Sequence, residues 1–190
     1  LIATIISPWN RKAKLWLKGR KGWYEKMKKA FDPGQKVIWF HCASLGEFEQ
    51  GRPLIEAIRE RLPDHKILLT FFSPSGYEKR KDYTGADYVM YLPIDTRRNA
   101  QKMLELLTLE MVFFIKYEFW YHFLQQLKKE KVPVYLASGN FRADQLFFKW
   151  YGGWYRRFLD LFTHIFVQSR NSEELLSAVG FHRVTVAGDT

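Results

Sequence analysis

Short apolar runs alternate with segments of helical periodicity from residue 36 to the end of this chain of 190 residues. Strands that alternate with helices in this way are typical of a mostly parallel sheet with right-handed crossover connections. The pattern therefore predicts an α/β fold, a Rossmann-like parallel sheet flanked by helices, as one domain over residues 36–190. We predict strands over residues 37–43, 67–72, 88–92, 111–115, 132–137, 165–168 and 184–187, helices over residues 48–62, 96–107, 119–131 and 171–179, and a further helix that begins near the Ser73-Pro74 turn.

The basic residues of the chain are concentrated at its amino-terminal end. The formal net charge is +10, and residues 1–30 contain nine lysine or arginine residues against Glu25 as their one carboxylate. The positive charge therefore belongs to an arm and is not spread over the whole domain, so it indicates a partner of that arm.

Within this arm, Lys14 and Lys18 flank Trp16 and follow an apolar run at residues 1–7. That run is shorter than the ~20 apolar residues that span a bilayer, and we interpret it as the end of a longer apolar segment. Residues 1–35 are predicted to form a basic, membrane-proximal arm with a leading helix. Nucleic acid is the alternative partner of a basic arm, but the apolar lead-in and the tryptophans favour a membrane surface and no nucleic acid.

Metal and cofactor sites have no sequence signal. The chain has one cysteine and five scattered histidines, which excludes an internal disulfide framework and suits a reducing compartment. No group of these residues has the spacing of a zinc site. The sequence contains neither a Gly-x-Gly-x-x-Gly run nor a Walker-type phosphate loop, so we predict no metal and no cofactor.

The run His41-Cys42-Ala43-Ser44-Leu45-Gly46-Glu47 follows the first predicted strand and opens a helix. It places Glu47 at the carboxyl end of a strand, where open parallel sheets bind ligands. The positive end of the helix dipole favours an ionised carboxylate, and an ionised carboxylate can take a proton from a hydroxyl group. The alternative interpretation is ordinary capping of the helix by Glu47.

Two further loops are predicted at the same edge of the sheet. Glu118 follows the fourth strand and would face Glu47 across a cleft if strands one and four are neighbours; two such carboxylates can divide catalytic roles. Pairing with Lys116 or capping of the next helix is the alternative. Arg142 follows the fifth strand and would bind a phosphate or a sugar carboxylate through two parallel hydrogen bonds, whereas a solvated surface arginine is the alternative.

Residues 147–158 are densely aromatic and basic. Phe147, Trp150 or Tyr151, Trp154 and Phe158 recur at helical spacing, which predicts an interfacial amphipathic helix. Trp150 and Trp154 would then contact a membrane or an acyl chain. A core-facing helix is the alternative, and aromatic residues among basic ones also suit single-stranded nucleic acid, although an α/β sheet lacks the usual binding platform.

Several segments together resemble, in order and spacing, the amino-terminal half of 3-deoxy-D-manno-octulosonic acid (Kdo) transferases. The resemblance implies an inverting glycosyltransferase of GT-B architecture with two Rossmann-like domains, which transfers Kdo from CMP-Kdo to the lipid A precursor, lipid IVA, in lipopolysaccharide core biosynthesis at the cytoplasmic face of the inner membrane. It makes this chain the acceptor-side half and leaves the carboxyl-terminal CMP-Kdo-binding domain outside it. The segments are His41-Cys42-Ala43-Ser44-Leu45-Gly46-Glu47, Pro53-Leu54-Ile55, Ser73-Pro74-Ser75-Gly76, Pro93-Ile94-Asp95-Thr96, Glu118-Phe119-Trp120, Gln168-Ser169 and residues 184–188.

The same resemblance implies roles for individual residues. Glu47 matches the catalytic base and Glu118 matches a second acid that stabilises the transition state, while Ser44 and Gly46 shape the acceptor site. Arg142 stands in an Asn-Phe-Arg run where the family often has Asn-Ala-Arg, so its place in the acceptor site is a separate expectation. The isolated chain is expected to be inactive. Another membrane-associated GT-B glycosyltransferase, or a non-enzymatic module that binds a membrane or nucleic acid, is the alternative.

Overall fold

A computed structural model describes residues 10–116 and 118–188, so the apolar lead-in at residues 1–7 lies outside the described residues. The strands are β1 (Lys36–Cys42), β2 (Lys66–Phe71), β3 (Tyr88–Tyr91), β4 (Thr108–Ile115), β5 (Val134–Gly139), β6 (His164–Val167) and β7 (Val184–Val186). They form one sheet in the order β3-β2-β1-β4-β5-β6-β7, and every neighbouring pair is parallel. The α/β prediction with its seven strands is confirmed.

Helices lie between most of the strands, as the alternating pattern predicts. No helix in the described part of the chain has the length and apolar character needed to cross a bilayer. The helices are α1 (Arg11–Arg20), α2 (Trp23–Ala30), α3 (Leu45–Arg61), α4 (Pro74–Arg80), α5 (Arg97–Leu104), α6 (Tyr121–Lys129), α7 (Gly153–Leu159) and α8 (Arg170–Ala178), with a 3₁₀ turn at Leu146–Phe148.

The central strand β1 is buried on both faces, and its residues belong alternately to two cores. Trp39 packs in the larger core with residues of α2, α5, α6 and α8, whereas Phe40 packs in the smaller core with residues of α3. Alternate side chains of a strand point to opposite faces of the sheet. Strands covered on both faces are continuously apolar, which explains why residues 37–42 carry mostly apolar side chains and are all buried.

The basic arm is attached to the sheet by a buried arginine at the end of α1. The guanidinium of Arg20 donates to the carbonyl oxygens of Leu92 and Phe72, at 2.8 Å in each case. Burial lowers the pKa of Arg20 to about 10. Because both carbonyls follow the carboxyl ends of strands, β2 and β3, this contact places α1 at that edge of the sheet.

Residues 147–158 do not form the single helix that their aromatic spacing predicts. The 3₁₀ turn ends at Phe148 and α7 begins at Gly153, and the backbone between them approaches the turn closely: a Cβ atom at Gly152 would lie 1.9 Å from the carbonyl oxygen of Leu146. The guanidinium of Arg156 holds this geometry by donating to the carbonyl oxygens of Phe147 and Lys149. Phe147 and Phe158 on either side of the break are buried, whereas Trp150 within it and Trp154 after it are exposed.

We predict that Gly152→Ala destabilises the fold, because the added methyl group meets backbone atoms that cannot move away independently. The expected loss is about 1–3 kcal/mol in the free energy of unfolding, measured by urea denaturation. Gly153→Ala is the matched control: its Cβ atom would have no neighbour within 4 Å, so its stability should be unchanged or slightly raised. Equal stability of the two variants would contradict the close approach at Gly152.

Candidate active site

The loop between β1 and α3 holds Glu47 at the carboxyl edge of the sheet. Ser44 is the N-cap residue of α3, and its backbone N–H donates to Oε2 of Glu47 at 2.9 Å. Gly46 has open space at its Cβ position. Glu47 therefore does cap the helix, as the alternative interpretation predicted. The same hydrogen bond also fixes its half-buried carboxylate at the edge of the sheet where open α/β sheets bind ligands.

The surroundings of Glu47 act on its pKa in both directions. Burial and the negative charge of Glu118 raise the pKa above its ordinary value, and the backbone N–H groups of Ser44 and Ala43 and the charge of Lys116 lower it in part. The result is a raised pKa. A carboxylate with a raised pKa is a stronger base than an ordinary one, which suits general-base chemistry.

Glu118 lies on the loop after β4, which pairs directly with β1. The sheet order reverses between these two strands, so their loops diverge and leave a crevice at the switch point. The predicted neighbourhood of strands one and four is confirmed. The negative charge of Glu118 is among the causes that raise the pKa of Glu47.

The contacts of Glu118 differ from both structural alternatives considered for it. Glu118 is 9% exposed; its Oε2 accepts a hydrogen bond from Nε1 of Trp120 and lies 3.3 Å from Nε2 of His41. The first N–H groups of α6 are capped by Asp95 instead, at 3.1 and 3.2 Å. Asp95 comes from the loop after β3, so it is a tertiary contact that periodicity does not reveal.

Two residues at this edge have a left-handed backbone. Lys116 and Ser138 follow or end the neighbouring strands β4 and β5 with φ angles of 67° and 56°. Non-glycine residues adopt this conformation at a cost, and such positions concentrate at functional sites. The positive charge of Lys116, at this turn, acts on Glu47 and lowers its pKa in part.

The structure places Arg142 on the predicted loop after β5 but does not bring it to the two carboxylates. Its guanidinium lies 3.3 Å from Asp144 and is largely exposed. The bulky neighbour Phe141 is buried, and its backbone N–H donates to the hydroxyl of Ser172. The phenylalanine in the Asn-Phe-Arg run therefore belongs to the core and does not fill the cleft.

Several buried polar side chains near the site were not predicted from the sequence. His41 and Trp39 lie two residues apart on β1 and therefore face the same side of the sheet, where both contact the hydroxyl of Thr70. A histidine inside an otherwise apolar strand was the available signal. No group of three His, Cys, Asp or Glu side chains in residues 10–116 and 118–188 is placed to hold a metal ion.

An apolar cavity adjoins the Glu118 loop. Phe119 follows Glu118 directly and lines this cavity, whose volume is about 470 Å³, together with Leu146, Phe147, Tyr155 and Phe158. Beside the cavity, Trp150 is 91% exposed and Trp154 is 54% exposed. The aromatic segment thus offers an open apolar surface next to one of the two carboxylates.

The two lysines of the arm that are predicted to contact a membrane lie on α1. Lys14 and Lys18 are exposed, whereas Trp16 is half-buried and packs against Phe72 and the guanidinium of Arg20. Of the three predicted membrane contacts in the arm, the two lysines are therefore free to face a surface, and the tryptophan has a packing role.

Comparison with known proteins gives the family. The family model described as 3-deoxy-D-manno-octulosonic-acid transferase (kdotransferase) matches residues 17–190. The chain belongs to this family. The predicted resemblance is confirmed.

Named relatives agree with this assignment. The chain is 32% identical over 107 residues to 3-deoxy-D-manno-octulosonic acid transferase of Chlamydia muridarum, which covers 55% of this chain and 25% of that protein. Its identity to the transferase of the same name from Bordetella pertussis is 27% over 159 residues, 80% of this chain and 36% of that protein. The chain thus spans about a quarter to a third of the length of these relatives.

Solved structures share the fold. UDP-GlcNAc 2-epimerase from Neisseria meningitidis, bound to UDP-GlcNAc, matches with a TM-score of 0.57 and 18% identity over 81% of this chain and 46% of that chain. The enzyme of the same name from Methanocaldococcus jannaschii matches with a TM-score of 0.56 and 14% identity over 81% and 45%. These proteins are of GT-B type, so the predicted fold, one Rossmann-like half of that architecture, is confirmed.

We predict that Glu47→Gln stabilises the fold at neutral pH. A carboxyl group with a raised pKa binds its proton more tightly in the folded chain, so the stability of the wild type falls as pH rises from 4.5 through the raised pKa. Glu47→Gln has no titrating carboxyl group at this position, so its stability does not fall in this pH range. Its melting temperature should exceed that of the wild type at pH 7, and the difference should vanish below pH 4.5.

The matched control is Glu60→Gln on the same helix, where the side chain is exposed. Its melting temperature should follow that of the wild type across the pH range. A stabilisation by Glu47→Gln that is equal at every pH would contradict an electrostatic cause.

Proposed function

We propose that the full-length protein transfers Kdo from CMP-Kdo to the lipid A precursor, lipid IVA, in lipopolysaccharide core biosynthesis, with inversion at the anomeric carbon. In this proposal the chain is the acceptor-binding half and carries the catalytic base, and CMP-Kdo binds to a carboxyl-terminal domain outside this chain. The observation that carries the proposal is the pair of carboxylates, Glu47 and Glu118, on the loops that follow β1 and β4 at the switch point of the sheet. Membership of the Kdo transferase family supports the choice of sugar.

Glu47 acts as the general base. It takes the proton of an acceptor hydroxyl while that oxygen attacks the anomeric carbon of Kdo, and the bond to CMP breaks with its electron pair on the departing phosphate. The raised pKa of Glu47 favours this proton transfer. The hydrogen bond from the N–H of Ser44 aims the carboxylate, and the absence of a side chain at Gly46 lets the acceptor approach.

Glu118 stabilises the positive charge that develops on the Kdo ring as CMP departs. A fixed negative charge acts strongly at a buried position, where water does not screen it. The contacts with His41 and Trp120 hold this carboxylate in place. Arg142 is exposed beside Asp144, and we propose that it exchanges this partner for an anionic group of the acceptor.

We propose that the protein works at the cytoplasmic face of the inner membrane, with no nucleic-acid partner. Lys14 and Lys18 would meet anionic head groups, and Trp150 and Trp154 would enter the interface between head groups and acyl chains. The cavity lined by Phe119 then suits part of an acyl chain of the acceptor, because its lining residues are mainly apolar.

Catalysis is tested by Kdo transfer from CMP-Kdo to lipid IVA with the full-length protein. Glu47→Gln should lower kcat about 10²- to 10⁴-fold, because the general base is lost, while acceptor binding and folding are retained. Glu60→Gln is the control and should keep the activity. Residues 1–190 alone should be inactive, since the donor-binding half is missing.

Two results would contradict this assignment. Unchanged turnover in Glu47→Gln would remove Glu47 from the role of base. A folded wild-type protein that binds lipid IVA but transfers no Kdo would leave the GT-B fold intact and direct attention to another sugar donor.

Membrane contact is tested by sedimentation with vesicles that contain anionic phospholipid. The double variant Trp150→Ala/Trp154→Ala should bind at least about tenfold more weakly, because it removes two large side chains from the interface. Ile94→Ala is the control, since Ile94 is 48% exposed but lies outside the aromatic segment. Equal binding of the double variant and the control would contradict a membrane role for the tryptophans.

A further inference from the structure

A buried chain of polar contacts leads from the core to Glu118. Nε1 of Trp39 donates to Oγ1 of Thr70 at 2.7 Å, and the same hydroxyl lies 2.8 Å from Nδ1 of His41. Nε2 of His41 lies 3.3 Å from Oε2 of Glu118. Trp39 and His41 are fully buried and Thr70 is 1% exposed, so water does not compete for these contacts.

The hydroxyl proton of Thr70 decides which nitrogen of His41 carries hydrogen. Oγ1 of Thr70 accepts from Trp39, and its own proton can go to Nδ1 of His41 at 2.8 Å or to the carbonyl oxygen of Phe40 at 3.3 Å. When the hydroxyl donates to Nδ1, the ring proton lies on Nε2 and a donor faces the Glu118 oxygen 3.3 Å away. A doubly protonated ring also carries a proton on Nε2. The remaining tautomer would turn a lone pair towards the carboxylate of Glu118.

We propose that His41 is a positioning residue for Glu118: its Nε2–H, supported by Thr70, holds Oε2 of that carboxylate in the orientation that the reaction needs. The catalytic part of this inference rests on the proposed function. The placement of the proton on Nε2 is a separate part of the inference and can be tested without the reaction.

The surroundings of the His41 ring suit a positioning role. The imidazole ring makes T-shaped contacts with the rings of Phe114 and Trp120, whose centroids lie 5.8 and 5.5 Å from its own. These contacts leave the ring little freedom to rotate. Trp120 adds a second donor to the same carboxylate oxygen. The N–H direction at Nε2 is not aligned for a full hydrogen bond, and catalytic contacts of this kind often tighten only when substrate binds.

The position of Glu118 also matters to the base. The negative charge of Glu118 contributes to the raised pKa of Glu47. A residue that fixes Glu118 therefore fixes both the charge that faces the Kdo ring and the charge that acts on Glu47. Misplacement of a reacting group by about 1 Å can lower a rate about 100-fold.

The placement of the proton is tested by nuclear magnetic resonance on the full-length protein labelled with ¹⁵N at histidine. The signals of His41 are identified by their absence in His41→Gln. We expect Nε2 to carry hydrogen, and we expect Glu118→Gln to shift the His41 signals while those of His164, on the distant strand β6, stay unchanged. An unprotonated Nε2 would overturn the proposal, and so would His41 signals that do not change in Glu118→Gln. Either result would count whether or not the protein transfers Kdo.

The catalytic consequence is tested by kinetics with CMP-Kdo and lipid IVA. His41→Leu should lower kcat about 10- to 100-fold with little change in KM, and His41→Gln, which keeps an N–H group near the Nε2 position, should recover most of the rate. His41→Leu added to Glu118→Gln should cause no further loss, because His41 acts through Glu118. Additive losses in this double variant would overturn the proposal.

Thr70→Val provides a second route if His41→Leu does not fold. It removes the hydroxyl that sets the tautomer and should lower kcat in the same direction, with no effect in the Glu118→Gln background. Equal activity of Thr70→Val and the wild type would overturn the role of Thr70. A wild-type protein without Kdo transfer would reject the proposed function, and the magnetic resonance result would still decide the placement of the proton.

Discussion

The pairing of β1 with β4 is the contact on which the rest of this structure depends. Both strands lie in the middle of a parallel sheet that is covered on both faces, so their side chains are apolar and their polar groups can emerge only at the ends. Because the connections leave these two strands in opposite directions, the loops at their carboxyl ends diverge. The crevice between them is where Glu47 and Glu118 come together, and no local feature of either loop would create it.

Bringing two carboxylates together has an electrostatic cost that the surrounding structure limits without removing. Glu47 receives backbone N–H groups at the start of α3, and Glu118 receives Trp120 and faces His41. Lys116 contributes a positive charge from a left-handed turn. These contacts keep the pair in place while the pKa of Glu47 stays raised. A site of this kind gives up stability for chemistry, as active sites commonly do.

The basic arm and the site are parts of one packed unit. Arg20 fastens α1 to carbonyl oxygens at the ends of β2 and β3, and its guanidinium lies over the rings of Trp16, Phe72 and Tyr91. Phe72 also packs against Trp120, which binds Glu118. A buried charge is tolerated only when its donors are satisfied. The carbonyl partners of Arg20 meet this requirement, and they hold the cationic helix close to the same edge as the carboxylates.

The sequence alone determined the seven strands and the positions of the two carboxylates after them. Apolar runs alternating with helical periodicity were enough for seven strands, because fully buried strands leave a strong local signal, and Glu47 and Glu118 were visible as acids directly after such strands. The tertiary structure decided which side chains contact one another. The capping of α6 by Asp95 and the contact of His41 with Glu118 both join segments whose proximity no periodicity records. Periodicity reports which face of an element is buried, whereas contacts between distant segments depend on how the sheet and its loops are assembled.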